Sequence, residues 1–153
     1  MAMLRSFLLI FMIFSMGNAG VDLFLKCPAG WTIFGLRCYK HFSQSVNWIT
    51  AERNCQRLSA NLASVHNKLE NDFLLSLLPS SDTKSWGGGH DGEQEGQWLW
   101  SDGTAYDYTN WCSGEPNNHH RPENCLEINN SHNRCWNDVP CSVSKKYVCV
   151  KDL

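Results

Sequence analysis

The chain has 153 residues, 42% of them hydrophobic and 18% charged, with 13 basic residues against 15 acidic and a net charge of −2. That length suits one domain with an appendage. The lack of a basic excess argues against a nucleic-acid partner, since phosphate binding calls for a cationic face.

The appendage comes first. In "MAMLRSFLLIFMIFSMGNAG" a single Arg5 precedes an apolar run from Phe7 to Phe14, and Gly17, Asn18 and Ala19 supply small residues near a cleavage point. This pattern predicts a secretory signal peptide over 1–19, cut after Ala19, too short and wrongly flanked for a membrane span. Residues 20–153 are then a secreted, extracellular domain with no spanning segment of its own. All eight cysteines (Cys27, Cys38, Cys55, Cys112, Cys125, Cys135, Cys141 and Cys149) fall in that part. An even count in a small secreted chain reads as a disulfide framework rather than as zinc sites, and eight cysteines allow about 105 pairings.

Two helical stretches follow. In "SQSVNWITAERNCQRLSA" residues Trp48, Ala51, Cys55 and Leu58 recur on one helical face, with charges opposite. "HNKLENDFLLSLL" repeats the pattern through Leu69, Phe73 and Leu77, and Pro79 stops it. Beyond Lys84 helical periodicity disappears. The segment Trp86 to Gly89, "WGGG", is a strand weakened by glycine, expected to be loosely packed. "QWLWSDGTAYDY" reads as a strand running into an Asp-Gly turn, and Trp136 and "KKYVCV" as further short strands. Strands at both ends with two helices between them predict an α+β domain carrying a long polar irregular region from about Ser101 to Asn124. Loops of that length are usually functional or disordered, and cysteines on both sides argue against disorder.

The polar region holds "GEPNNHHRPENC", Gly114 to Cys125, and is followed by "CWND", ending in Asn137 and Asp138. Calcium takes six to eight oxygens from carboxylates, amides, backbone carbonyls and water. Glu115, Asn117, Glu123, Asn137 and Asp138 offer five such side chains, three of them anionic, from two segments bracketed by cysteines. A cis Glu115–Pro116 bond, affordable only before proline, would turn both flanking side chains to one side.

Taken together, "WITAERNCQRLSANLASVHNKLENDFL", "GQWLWSDG", "YTNW", "EPN", "ENC", "WND" and "YVC" make the chain resemble the C-type lectin domain family. The cysteine spacing is most similar to that of soluble fish lectins and type II antifreeze proteins. The resemblance implies a disulfide-stapled double-loop domain with two helices, short antiparallel sheets, a long calcium-binding loop and termini close together. It also implies the pairs Cys27–Cys38, Cys55–Cys149 and Cys125–Cys141, with Cys112–Cys135 as an extra bridge seen in the fish group. The principal calcium site it implies consists of Glu115, Asn117, Glu123, Asn137 and Asp138. An auxiliary calcium site would draw on Asp91, Glu95 and Glu123, with Asn118 and Asn124 where acids are common. Fewer anionic ligands make that second site the weaker of the two.

The functional expectation is a calcium-dependent carbohydrate-binding module rather than an enzyme. Two sugar hydroxyls would complete the metal's shell, donate to Glu115 and Glu123, and accept from Asn117 and Asn137. In the family "EPN" goes with mannose, glucose, N-acetylglucosamine and fucose, and His119 stands where a further sugar contact is found. Innate recognition of microbial or host glycans is the implied role, and an antifreeze-like ice-binding protein is the alternative. The neighbouring His119 and His120 cannot both readily bind one metal, and no nucleophile–base pairing stands out in the sequence. Asn129-Asn130-Ser131 is an N-glycosylation sequon, with Asn129 the candidate acceptor. No collagen-like repeat or heptad neck is present, so oligomeric state stays open.

Overall fold

The computed structural model describes residues 26–119 and 122–153. The expected signal peptide, and His120 and Arg121, lie outside the described residues. In chain order the elements are β1 (Thr32–Phe34), β2 (Arg37–Val46), α1 (Trp48–Gln56), β3 (Asn61–Leu62), α2 (Lys68–Ser76), β4 (Ser85–His90), β5 (Leu99–Trp100), β6 (Cys125–Asn130), β7 (Cys135–Val139) and β8 (Lys145–Asp152). One mixed sheet runs β1-β2-β8-β4-β6-β7, with β3 pairing β8 and β5 pairing β4. Among the named strands of the described residues only the β4–β8 pair is parallel, through Ser85↔Lys146 and Trp86↔Tyr147. The first long strand pairs with the last, Arg37 opposite Asp152, so the ends of the described domain lie together. Four disulfides close it: Cys27–Cys38, Cys55–Cys149, Cys112–Cys135 and Cys125–Cys141. This is the α+β architecture the sequence predicts.

Both helices are set by local capping. The Asn47 side chain accepts from Thr50 N and starts α1, and Asn67 does the same for Glu70 N at α2. The helices are shorter than the stretches quoted, and Ser43–Val46 belong to β2 instead. The periodicity of α1 holds for Trp48, Ala51 and Cys55, whereas Leu58 lies past its end and is exposed. In α2 the fully buried residues are Asn71, Leu74 and Leu75, while the expected Phe73 and, just past its end, Leu77 are half-buried against the core and only Leu69, 72% exposed, faces away. The helix carries leucine on more than one side. Asn71 fixes the choice, because its Oδ1 accepts from the buried Trp136 indole N–H at 3.0 Å.

The glycine-rich strand corrects the expectation of looseness. Every residue of β4 from Ser85 to Gly89 is buried. A Cβ on Gly88 would lie 2.6 Å from Leu62 O and 2.9 Å from Ser101 Oγ, and one on Gly89 would lie 2.7 Å from a Leu126 methyl. Glycine lets the backbone of β4 approach its neighbours directly, and Gly88 N donates to Ala63 O while Ser101 N donates to Gly88 O. Gly88→Ala is therefore expected to destabilise the domain by about 2–3 kcal/mol through overpacking against backbone. A lower denaturant midpoint at unchanged m-value would register it, and an unchanged midpoint would refute the close approach.

Next to this strand Glu52, buried in α1, accepts from Leu62 N, Asn61 Nδ2, Ser101 Oγ and Gln56 Nε2 at 2.6–3.0 Å. A buried carboxylate is tolerated where donors surround it. It ties α1, β3 and the start of the long loop into one unit. The strand "QWLWSDG" contracts to Leu99–Trp100, because Gly103 at φ 77° ends a turn immediately after it.

The glycosylation expectation at Asn129 is also corrected. Its side chain is 1% exposed, and its Nδ2 donates to the carbonyls of Ser81 and Thr83 at 2.9 and 3.0 Å. Its Oδ1 accepts from Arg134 Nε at 2.8 Å. The amide is a clamp between two loops, and a glycan on it would require breaking that clamp.

Candidate functional site

The long loop folds back on β7. Asn110 O accepts from Trp136 N and Cys112 N donates to Trp136 O, both at 2.8 Å, and Cys112–Cys135 fastens the same junction covalently. Aromatic rings fill the space beneath: Trp98 packs edge-on to Trp111, and Trp100, Tyr108 and Trp111 pack edge-on to Trp136. The polar loop is thus mounted on a rigid aromatic floor. From there it presents Glu115, Asn117 and Glu123 toward Asn137 and Asp138.

The Glu115–Pro116 bond is cis, as the sequence predicts. Asn117 N and Asn118 N then donate to the Asp138 carboxylate, at 3.1 Å to each oxygen and 2.9 Å to Oδ2 respectively. Asn118 occupies the left-handed region, φ 52°, a conformation asparagine tolerates better than most residues. Asn117 Nδ2 donates to Glu115 Oε1 at 3.1 Å, and His119 N donates to Asn117 Oδ1 at 2.8 Å. Asn118 Oδ1 accepts from Glu123 N at 3.0 Å. Asp138 and Glu123 are almost wholly buried. The structure therefore draws four of the five predicted principal-site residues, Glu115, Asn117, Glu123 and Asp138, into one hydrogen-bonded or electrostatic neighbourhood. Asn137 adjoins it, half-buried on β7 opposite Glu127.

Electrostatics mark the same place. The Glu115 carboxyl is pushed up to about 7, first by burial, then by its contact with Asp138 and by the charges of Asp138 and Glu123. Its Oε2 is buried with no hydrogen-bond partner. A buried acceptor without a donor, among like charges, is an arrangement that a cation would satisfy. Among the described residues no group of three or more His, Cys, Asp or Glu side chains stands ready to hold a metal. An oxygen shell here has to include the amide oxygens of the asparagines, as hard cations permit. The residues present fit calcium on those terms.

The auxiliary set also converges. Asp91 Oδ2 accepts from Gly96 N at 2.8 Å while Oδ1 is buried without a partner, and burial foremost raises its pKa. Asp91 N donates to Asn124 O, Asn124 Oδ1 is likewise buried and unpartnered, and Asn118 Nδ2 reaches Glu95 Oε1 at 2.5 Å. Asn118 thus touches both sets: its backbone N–H bonds Asp138 and its side chain bonds Glu95.

What sequence reading missed is the closure of the loop by backbone. The two N–H groups on Asp138 leave no motif beyond a residue that tolerates positive φ after "EPN". Missed too is a relay-like string away from this face, where His66 Nδ1 lies 2.8 Å from Asp107 Oδ1 and Nε2 lies 3.2 Å from Ser64 Oγ. It is not a nucleophile–base pair. Ser64 is fully buried, its hydroxyl donates to Asp102, and Arg37 donates to its oxygen.

Comparison with known proteins agrees with this geometry. A family model described as the lectin C-type domain matches residues 44–151. The galactose-specific lectin nattectin of Thalassophryne nattereri is 39% identical over 131 residues, covering 84% of this chain and 82% of that protein. The solved herring type II antifreeze protein superposes with a TM-score of 0.79 at 35% identity, covering 83% of this chain and 99% of that one. A calcium-independent type II antifreeze protein superposes at 0.78 with 34% identity, covering 84% and 95%.

Proposed function

The chain belongs to the C-type lectin domain family, a non-enzymatic family in which this chain's relatives include carbohydrate-binding lectins and antifreeze proteins, and from that premise we propose that it is a secreted, calcium-dependent lectin for mannose-type glycans. Calcium dependence is typical of the family without being universal. The observation that carries the reading here is the loop closure on Asp138, which gathers carboxylate and amide oxygens while leaving Glu115 Oε2 buried and unpartnered.

In this reading Glu115, Asn117, Glu123, Asn137 and Asp138 would hold one calcium ion, which would supply a site for two neighbouring sugar hydroxyl oxygens. Glu115 and Glu123 would accept hydrogen bonds from those hydroxyls, and the amides of Asn117 and Asn137 would donate to their remaining lone pairs. Hydrogen bonds to charged groups contribute roughly 1.5–3 kcal/mol each. The order acid–proline–amide supports mannose, glucose, N-acetylglucosamine and fucose as ligands, and His119, beside Glu115, adds a contact. The Asp91, Glu95, Asn118 and Asn124 group is the weaker auxiliary calcium site. The leader-like sequence pattern over 1–19 supports secretion, and microbial or host surface glycans are the natural targets. A single shallow sugar site binds on the order of 1 mM, about −4 kcal/mol, so useful avidity calls for several sites on an oligomer.

The test is a glycan array run in calcium and then in chelator. Retention of mannose-type glycans only with calcium is the expected result, and chelator-insensitive retention would overturn it. The likeness to solved antifreeze proteins favours a second reading, ice binding at this face. Thermal hysteresis with no sugar retention would select that one.

A further inference from the structure

Away from the calcium loop, a cleft of about 440 Å³ opens where the start of β4 meets β8. Lys84, Lys145 and Lys146 line it, together with the hydroxyls of Ser45, Ser80, Thr83 and Ser144. Two acids temper this charge. Glu127, buried on β6, binds Lys145 and lies 3.8 Å from Lys84, and Asp82 is exposed at the rim. Lys145 is held further by the Trp86 ring, 5.6 Å from its centroid. Three ammonium groups thus share one buried and one exposed carboxylate.

Lys146 supplies the excess. Among the described residues it has no ion-pair partner. Its charge, after burial, is what holds His41 below the ordinary histidine range, and His41 Nε2 is itself buried without a partner. The chain as a whole is acidic, so attraction for an anion must be local to this cleft.

We propose that the cleft is a second ligand site, taking the sulfate ester of an acidic glycan. A sulfate ester offers three outward oxygens at fixed negative charge over the whole physiological range. Ammonium groups from β8 and from Lys84, just before β4, with hydroxyl donors between them, match that presentation better than the two coplanar oxygens of a carboxylate. Lys145 is pre-oriented by Glu127 and Trp86, while Lys84 and Lys146 complete the cradle. The inference rests on the lectin reading for the glycan and on the cleft alone for the anion. Glu127 faces Asn137 across β6 and β7, so the two sites flank the same pair of strands.

The test uses the full mature chain in chelator, where the calcium site is silent. Inorganic sulfate, N-acetylglucosamine 6-sulfate, neutral N-acetylglucosamine and sialyllactose are titrated while backbone amide shifts are followed by NMR. The two sulfated probes are expected to shift the amides of Lys84, Ser144 and Lys146, and the neutral sugar to leave them unmoved. Lys84→Gln and Lys146→Gln should each weaken binding about five- to tenfold, and added salt should weaken it further. Lys151→Gln, on the far part of β8, should not. Lys145 is left intact because its loss would strand Glu127.

Shifts spread over all basic residues, or affinity indifferent to both variants, would mean diffuse charge attraction and overturn the proposal. Stronger binding of sialyllactose at the same amides would overturn the sulfate assignment in favour of a carboxylate. Absence of any shift overturns the site outright. Failure of neutral-sugar binding in calcium would remove the lectin reading and leave the cleft result standing.

Discussion

Glu123→Gln is expected to lower calcium affinity on the order of a hundredfold and to abolish sugar retention, without loss of the fold. Glu123 is 3% exposed, and its backbone N–H is held by Asn118 Oδ1. Glutamine preserves shape and that backbone contact, so the loop should stay closed. What disappears is one of three carboxylate charges, and an interaction with a buried ion typically contributes several kcal/mol. In the metal-free protein the sign reverses. The charge of Glu123 helps raise the Glu115 pKa, so its removal relieves repulsion between them. The variant's metal-free melting temperature should therefore equal or exceed that of the parent. Calcium stabilises whichever state binds it in proportion to RT ln(1 + [L]/Kd), and that upward shift should vanish. Calorimetric titration and paired melts with calcium and chelator check both halves. A calcium-induced rise that persists in the variant would place the metal elsewhere.

Much of this site is legible in the residues because its chemistry is local. Glu115, Pro116 and Asn117 are consecutive, Asn137 and Asp138 are consecutive, and cysteines 112 and 135 stand beside both segments. Short-range order of this kind survives as a motif. The four bridges, implied by the resemblance rather than by counting, are those observed. The closure itself is not legible, because Asn117 and Asn118 engage Asp138 through main-chain N–H groups that every residue owns.

The misreadings share a cause of a different kind. Helical periodicity reports which side is apolar, and α2 is apolar on more than one side. Asn71, a polar residue that the pattern discards, is buried because Trp136 needs an acceptor 65 residues away. Glycine propensity reports what a strand lacks, whereas β4 uses glycine for what its neighbours occupy, Leu62 O and the Leu126 side chain. The Asn129 sequon reports a tripeptide, and the fold spends its amide on Ser81 and Thr83. In each case a long-range partner overrides a correct local preference.

The double substitution Glu115→Gln with Asn117→Asp is expected to retain calcium and to shift preference from mannose toward galactose by roughly ten- to a hundredfold, the equivalent of one charge-assisted hydrogen bond. Total charge and the number of oxygen ligands are unchanged. The local bonds survive as well. The new amide at 115 donates to the new carboxylate at 117, reversing the present 3.1 Å contact from Asn117 Nδ2 to Glu115 Oε1. A carboxylate at 117 also accepts from His119 N as the amide oxygen does now, and Asn118 N still reaches Asp138. Only the side of Pro116 that offers the negative charge is exchanged, and with it which sugar hydroxyl donates and which accepts. A relative at 39% identity is a galactose-specific lectin, so galactose preference is compatible with a related chain. Competition between methyl mannoside and methyl galactoside at saturating calcium decides the matter. A variant that keeps both its metal and its mannose preference would show that this loop holds the ion without reading the sugar, and contacts outside Glu115 and Asn117 would then carry specificity.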